Sequence, residues 1–302
     1  TRSSWVTGVQ TCALPICGRG RGINAAALLL AVVGIGVLFY PTISDLWNRQ
    51  FNTQNIHQYQ EKAEQLTSEQ RKNIWEAAWQ YNADHSTNTV TDVFSKKKSS
   101  MAKDERYSTL LNPSRDGIMG ALEIPKIRLR LAIYHGTSAA VLKKGVGHVQ
   151  GTSLPVGGSG THAVLAAHRG LPSAKLFTDL DQIKKGNHFY LVIMGQTLAY
   201  RVDQISVVRP NALDALAIEP GRDLVTLLTC TPYGVNTERL LVRGHRVPYV
   251  PKTKAAEKGP FIDRSLAWKL LLAGLVSTVV ILTIMKRRMA DRQAPSKRET
   301  KE

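Results

Sequence analysis

Thr226-Leu227-Leu228-Thr229-Cys230-Thr231-Pro232-Tyr233, followed by Arg239-Leu240-Leu241-Val242-Arg243-Gly244, reads as two β-strands joined by a turn. Leu224 to Cys230 is rich in β-branched and apolar residues; Pro232 and Gly234 break the run before a second begins at Leu240. Cys230 therefore falls at a strand end, on a rigid element yet open to a groove, which suits a nucleophile. A lone cysteine is more often a small core residue than a catalyst, so its company decides. Arg239 starts the facing strand, where a hairpin returns its guanidinium towards the thiol. His168 closes a third apolar run, Thr161 to Gly170. Three polar groups at three strand ends can converge on one site.

Outward from this core, short runs with regular turns continue. Asp116 to Ile127 and Arg130 to Tyr134 read as strands, Val141 to Gly160 as a glycine-rich series of turns, and Ser173 to Ile183 as a short helix. Asn187 to Met194, Gln196 to Asp203 and Gln204 to Arg209 read as strands around Gly195. Many short strands with few helices predict a mostly β fold closed into a barrel.

Upstream, Ser44 to Asp84 is polar and glutamine-rich, with Leu46, Ile56, Tyr59, Leu66, Ile74, Trp75, Ala78 and Trp79 at roughly helical intervals. It predicts one or two amphipathic helices, with Ser44-Asp45 as an N-cap. His85 to Lys103 is rich in Ser, Thr, Asn and Lys without periodicity and reads as a loop. Ile23 to Tyr40 is apolar apart from Asn24 and follows Arg19 and Arg21, as an uncleaved signal-anchor would; a cleaved signal peptide is the alternative. Leu266 to Met285 is a second apolar run stopped by Lys286-Arg287-Arg288, with a buried core helix as its alternative. Basic residues at both ends place both termini in the cytoplasm and the stretch between the spans outside. Thr1 to Ile16 resembles translated sequencing-adapter sequence and is set aside from the fold.

The expected order is thus a leader and basic end (1–22), an anchor (23–40), a helical arm (41–84), a loop (85–111), the barrel (112–250), a linker (251–265), a second span (266–285) and a basic tail (286–302). The net charge is +17, of which the two ends carry +7 and the middle +10. A dispersed positive charge favours an anionic surface such as a cell wall or lipid headgroups, and no nucleic-acid motif accompanies it. Beyond the leader's Cys12 and Cys17 only Cys230 remains, so the exported region has no disulfide and one free thiol. No metal site is expected, since none of the other histidines has ligand spacing. His162, six residues before His168, shares its strand face but lies about 20 Å away and reads as structural.

At these residues the chain resembles the sortases. Thr226 to Cys230 matches the Thr-Leu-x-Thr-Cys signature, Arg239 is the arginine that follows it, and His168 follows the strand Ala163 to Ala167. The run Thr231 to Gly244 is similar to the pilus-assembling class C branch in particular, as are the flanking apolar segments, and the resemblance spans about Asn112 to Val247. It implies a closed sortase-type β-barrel with N-terminal amphipathic helices and two flanking transmembrane helices. It also implies a Cys230, His168 and Arg239 triad without cofactor.

In that family the cysteine attacks the Thr-Gly bond of a Leu-Pro-x-Thr-Gly-like sorting signal, the histidine protonates the departing amine, and in class C a pilin lysine resolves the thioester. Arg239, always charged, suits an oxyanion or a substrate carbonyl, and the resemblance implies that Thr229 adds backbone or hydroxyl contacts to the oxyanion. Asp92-Val93-Phe94 stands where class C members carry an Asp-Pro-aromatic lid, the acid pairing with the arginine and the ring covering the cysteine. Valine here replaces the proline. The implied partners are pilin or surface proteins bearing sorting signals, a pilin lysine as acceptor, and the membrane, with no nucleic acid. The rival readings are the housekeeping branch that anchors proteins to a cell-wall precursor, a non-catalytic exported scaffold, and a cysteine protease.

Overall fold

The structure, a computed structural model, describes residues 19–85, 92–94, 104–251 and 264–293. The leader lies outside them, as do most of the linker and all of the loop but His85, Asp92–Phe94 and the residues from Asp104 on. Eight strands form a closed barrel in the order β1-β2-β3-β4-β7-β8-β6-β5. They are β1 (Ile118–Ile124), β2 (Leu129–His135), β3 (Val146–His148), β4 (Thr161–Ala166), β5 (His188–Ile193), β6 (Gln196–Val208), β7 (Asp223–Thr231) and β8 (Glu238–Val247). The helices are α1 (Arg19–Gln65), α2 (Ser68–Asp84), α3 (Glu105–Thr109), α4 (Ala139–Lys144) and α5 (Arg264–Gln293).

The chain forms two compact units, one comprising residues 1–39 with 262–302 and the other residues 40–261. In the first, α1 and α5 supply two helices long and apolar enough to cross a membrane. The second holds the barrel and also the arm, which is not a separate piece.

Several elements differ from the sequence reading. Ser44-Asp45 caps nothing, because α1 runs unbroken through it with Pro41 inside. Both side chains instead leave the helix, Ser44 donating to the Ser173 carbonyl at 2.8 Å and Asp45 accepting from the Lys175 N–H at 2.7 Å. The arm's buried face is Asn52, Ile56, Tyr59 and Ala63 on α1 and Trp75, Ala78, Tyr81 and Asn82 on α2, whereas Leu46 and Trp79 are exposed. Asn52 donates to Lys144 O and accepts from the Ala132 N–H, and Tyr59 donates to Met119 O and accepts from the Met194 N–H. Asn82 bridges both backbone groups of Leu154. Polar groups at helical spacing thus satisfy barrel backbone that would otherwise be buried unpaired, an interaction that a hydrophobicity pattern does not carry.

The glycine-rich stretch conceals α4, capped by Ser138, and the short β3. Ser173 to Ile183 forms turns and one 3-10 turn, Leu180–Gln182, rather than a helix. Gln196 to Val208 is one strand, and the expected break at Asp203 is a bulge in its pairing with β8.

Two apolar clusters divide the barrel wall between them. On β7 and β8 the large cluster holds Val225, Leu227, Leu240 and Val242, and the small one Leu228 and Leu241. Alternation assigns these sets to opposite faces of the sheet. The second face carries the groove: α4, the β6–β7 connection and Asp92–Phe94 lie over it, contributing Leu142, Leu213, Ala215, Leu216, Val93 and Phe94.

Candidate active site

The groove floor is built by register. β4 runs parallel to β7 with Ala166 beside Leu228, and β8 runs antiparallel to β7 with Leu241 opposite Leu228 and Arg239 opposite Cys230. Leu228 and Cys230 have the same parity, so Cys230 and Arg239 share the groove face as directly opposed residues. Two steps beyond Ala166 comes His168, with the same parity again. The Ala167 N–H donates to Leu228 O and the Thr229 hydroxyl donates to Ala167 O at 2.8 Å, which keeps the chain bearing His168 alongside the end of β7.

Asp92, 147 residues before Arg239, and Phe94 complete the cluster. Both Asp92 carboxylate oxygens accept from Arg239, at 2.8 and 2.7 Å, a bidentate pair with both side chains nearly buried. The remaining Arg239 nitrogen donates to the carbonyls of Asn236 and Glu238. Phe94 lies 5.5 Å from the His168 ring, and the Arg239 guanidinium lies 5.5 Å from the Phe94 centroid. Phe94 therefore touches two members of the proposed triad, His168 and Arg239, and Asp92 occupies the donors of Arg239.

The electrostatics follow. Burial pushes the Cys230 thiol above its ordinary value; Arg239 opposes this and the Asp92 carboxylate adds to it. Burial also lowers His168, with Lys143 contributing in the same direction. With Asp92 in place the site holds a neutral thiol, a neutral imidazole and a guanidinium whose charge is already answered. A group that docks on Arg239 must displace a carboxylate.

Of the backbone and hydroxyl contacts expected of Thr229, the hydroxyl is already committed elsewhere. Fully buried, it gives its one hydroxyl proton to Ala167 O, so the hydroxyl braces two strand ends and is not a free oxyanion donor. His162 sits at the far end of the same face, its ring bonded to Ala217 O and the Thr226 hydroxyl at 2.8 Å each, in keeping with a structural role. No group of three or more potential metal-ligating side chains occurs among the described residues.

Sequence reasoning missed Arg169. Its guanidinium donates to the Thr231 hydroxyl at 3.1 Å and pairs with Asp181, tying the residue after His168 to the residue after Cys230. Gly170 has φ +78°, and a Cβ there would meet the Tyr233 ring at 3.0 Å, so the two loops also press together where only glycine fits. The signal available in sequence was a His-Arg-Gly run at a strand end, too short to distinguish a brace from a charge.

Comparison with known proteins places this geometry. Residues 122–247 match the Sortase domain family model. Sortase A of Streptococcus agalactiae serotype III is 31% identical over 128 residues, 41% of this chain and 51% of that protein. The chain thus spans about half the length of that curated relative. Sortase C1 from Streptococcus agalactiae is 44% identical with a TM-score of 0.60, the match covering 65% of this chain and all of that one. Sortase C of Streptococcus pneumoniae, a structure described in terms of catalysis and pilin substrate specificity, is 41% identical with a TM-score of 0.58, covering 65% and 97%.

Proposed function

This chain belongs to the sortase family, and from that premise we propose that it is a membrane-anchored cysteine transpeptidase that joins sorting-signal proteins to a pilin lysine. The observation that carries the reading is the cluster at the strand ends: Cys230 opposite Arg239, Asp92 paired with Arg239, and Phe94 packed between the Arg239 guanidinium and the His168 ring. The similarity to the pneumococcal enzyme described with pilin specificity supports the choice of acceptor.

Catalysis begins when Asp92 and Phe94 leave. Arg239 is then unanswered, the acidic neighbour that raises the Cys230 pKa is gone, and the thiol proton passes to His168. The thiolate attacks the carbonyl carbon of the signal's threonine, with Arg239 donating to the developing oxyanion. The C–N bond to glycine breaks as His168 returns its proton to the leaving amine, and a Cys230 thioester remains. A lysine amine then attacks the thioester and gives its proton to His168, and the thiolate departs as the isopeptide bond forms. Atoms balance with no cofactor. The apolar floor of Leu228 and Leu241, which stays when Phe94 leaves, disfavours water as the competing nucleophile.

α1 and α5 are the two membrane spans, with the basic ends in the cytoplasm and the barrel outside. Incubating the full chain in detergent with a Leu-Pro-x-Thr-Gly peptide and an amine acceptor tests the reading. A thioester adduct on Cys230 and an amine-linked product are expected. Hydrolysis without transfer would assign a protease instead, and no adduct with either wild type or Asp92→Ala would assign a scaffold.

A further inference from the structure

A separation of 62 residues runs through the join between β4 and β7. Ala166 stands beside Leu228 in the ladder, the Thr229 hydroxyl reaches Ala167 O, and the Arg169 guanidinium reaches the Thr231 hydroxyl at 3.1 Å, each pair 62 residues apart. His168 and Cys230 have the same separation and fall between the last two pairs. By alternation the side chains of Arg169, Thr229 and Thr231 lie on the reverse of the face that carries His168 and Cys230. The backbone ladder stops short of them. Its last bond runs from the Ala167 N–H to Leu228 O at 3.2 Å, and the chain then turns at Gly170, φ +78°. Two side-chain bonds on the reverse face are what tie the imidazole's chain to the sulfur's.

Arg169 is a poor choice for stability alone. Its side chain is 7% exposed, its Nε–H is buried with no acceptor among the described residues, and its carboxylate partner Asp181 is half-exposed. What a guanidinium supplies is two nitrogens in one rigid plane. One holds Asp181, in the 3-10 turn Leu180–Gln182, and the other holds Thr231, so the loop after β4 and the end of β7 are pinned to a single group. The Phe177 N–H closes the same loop onto the His168 carbonyl at 3.1 Å. We infer that Arg169 is a positioning residue for the Cys230–His168 pair, fixing the spacing at which the imidazole takes the thiol proton and later returns it to the leaving amine.

The brace matters most once the groove opens. Departure of the Asp92–Phe94 segment takes Phe94 off the His168 ring, 5.5 Å away, whereas the bond from Arg169 to Thr231 lies on the other face and stays. No backbone bond between the two chains backs it up at this level, unlike the Thr229 contact, which has the Ala167 N–H bond beside it. The consequence for transfer rests on the transpeptidase reading; the brace does not.

Two variants of the full chain in detergent test this: Arg169→Met, which keeps the stem and removes the guanidinium, and Thr231→Val, which keeps the shape and removes the acceptor. With a Leu-Pro-x-Thr-Gly peptide and an amine acceptor, each is expected to lower kcat about tenfold and to leave KM within about twofold. The double variant should be no slower than either single one, because both remove the same bond. A loss of about a hundredfold in the double variant, the product of two independent effects, would overturn the inference, as would a loss carried by KM. Thr231 is part-exposed, so should Arg169→Met fail to fold, Thr231→Val decides alone, and an unchanged kcat overturns it. The charges that act on the thiol are those of Arg239 and Asp92, and on the imidazole that of Lys143. Arg169→Met should therefore leave the pH profile of Cys230 alkylation in place; a displaced profile would assign Arg169 an electrostatic role instead. Hydrogen exchange at the Ala167 and Phe177 amides reads the brace without turnover, and about tenfold faster exchange is expected in both variants. Unchanged exchange would overturn the brace. A wild type that forms no thioester would sink the transpeptidase reading, while faster exchange in the variants would still establish the brace.

Discussion

Arg239 and Arg243 stand four residues apart on β8, on the same face and about 13 Å from each other, yet they are held in opposite ways. Arg243 pairs with Asp203 at 3.1 Å and Glu219 at 2.6 Å, and the same two carboxylates hold Arg222. Every partner comes from β6 or from the connection into β7, so the network closes upon itself within the barrel. Among the described residues Arg239 has a single carboxylate partner, Asp92, on a segment 147 residues distant, seated by Phe94 and Val93. The first guanidinium is built into the wall. The second is on loan, and a bond that one segment makes can be surrendered as one unit.

The sharpest way to break this contrast is to remove each arginine. Arg239→Ala is expected to lower peptide transfer about a thousandfold, through loss of the oxyanion donor, with Cys230→Ala and His168→Ala at least as severe. Arg243→Ala should lower it less than about threefold, since it touches neither thiol nor lid. Single-turnover assays on the three variants read this directly. Comparable losses for Arg239→Ala and Arg243→Ala would mean that the two ends of the groove are one electrostatic unit.

Freeing Arg239 without removing it comes next. Asp92 raises the Cys230 pKa, adding to burial, so its removal lowers the pH at which the thiolate forms. Asp92→Ala is therefore expected to move the pH profile of thiol alkylation to lower pH and to speed labelling at pH 7 about tenfold, one pH unit being a tenfold change in thiolate. Phe94→Ala should speed labelling at every pH, through access, with a smaller displacement of the profile. A profile for Asp92→Ala that moves upward would show that the carboxylate's main effect is to keep Arg239 pointed at the thiol.

The same logic predicts a cost in stability at the closed end. Arg243→Ala leaves Asp203 and Glu219 with Arg222 as their arginine partner and should lower unfolding free energy by about 1–2 kcal/mol in urea titrations, the partners being part-exposed. Arg239→Ala should cost less than this, because Asp92 can turn to water. The reverse ranking would make the lid a structural clasp.

How much of this was legible beforehand depended on whether a signal was local. The strands around Cys230, His168 and Arg239 were readable because apolar runs bounded by Pro232, Gly234 and Gly170 need no distant information. The continuity of α1 was not, because Pro41 and Ser44-Asp45 look like an end, and only the partners Ser173 and Lys175, far away in sequence, show why the helix carries polar groups there. β3 and α4 were lost in a glycine-rich stretch whose three-residue strand is too short for any period. Asp92 and Phe94 could be named from a motif, but their contact with Arg239 and His168 is purely tertiary.

Thr229 offers the finest cut between a wall residue and a working one. Its hydroxyl is committed to Ala167 O, so Thr229→Val, which keeps the shape and removes the donor, should lower stability by about 1 kcal/mol and slow transfer only about threefold through a less constrained His168. Thr229→Ser should restore both, since it keeps the proton that bridges β7 to the chain after β4. An oxyanion donor would behave otherwise, its loss costing about a hundredfold or more in turnover with little change in stability. A Thr229→Val variant that folds as well as wild type yet transfers a hundredfold more slowly would move this hydroxyl from the brace into the reaction, and the groove would then have a second donor beside Arg239.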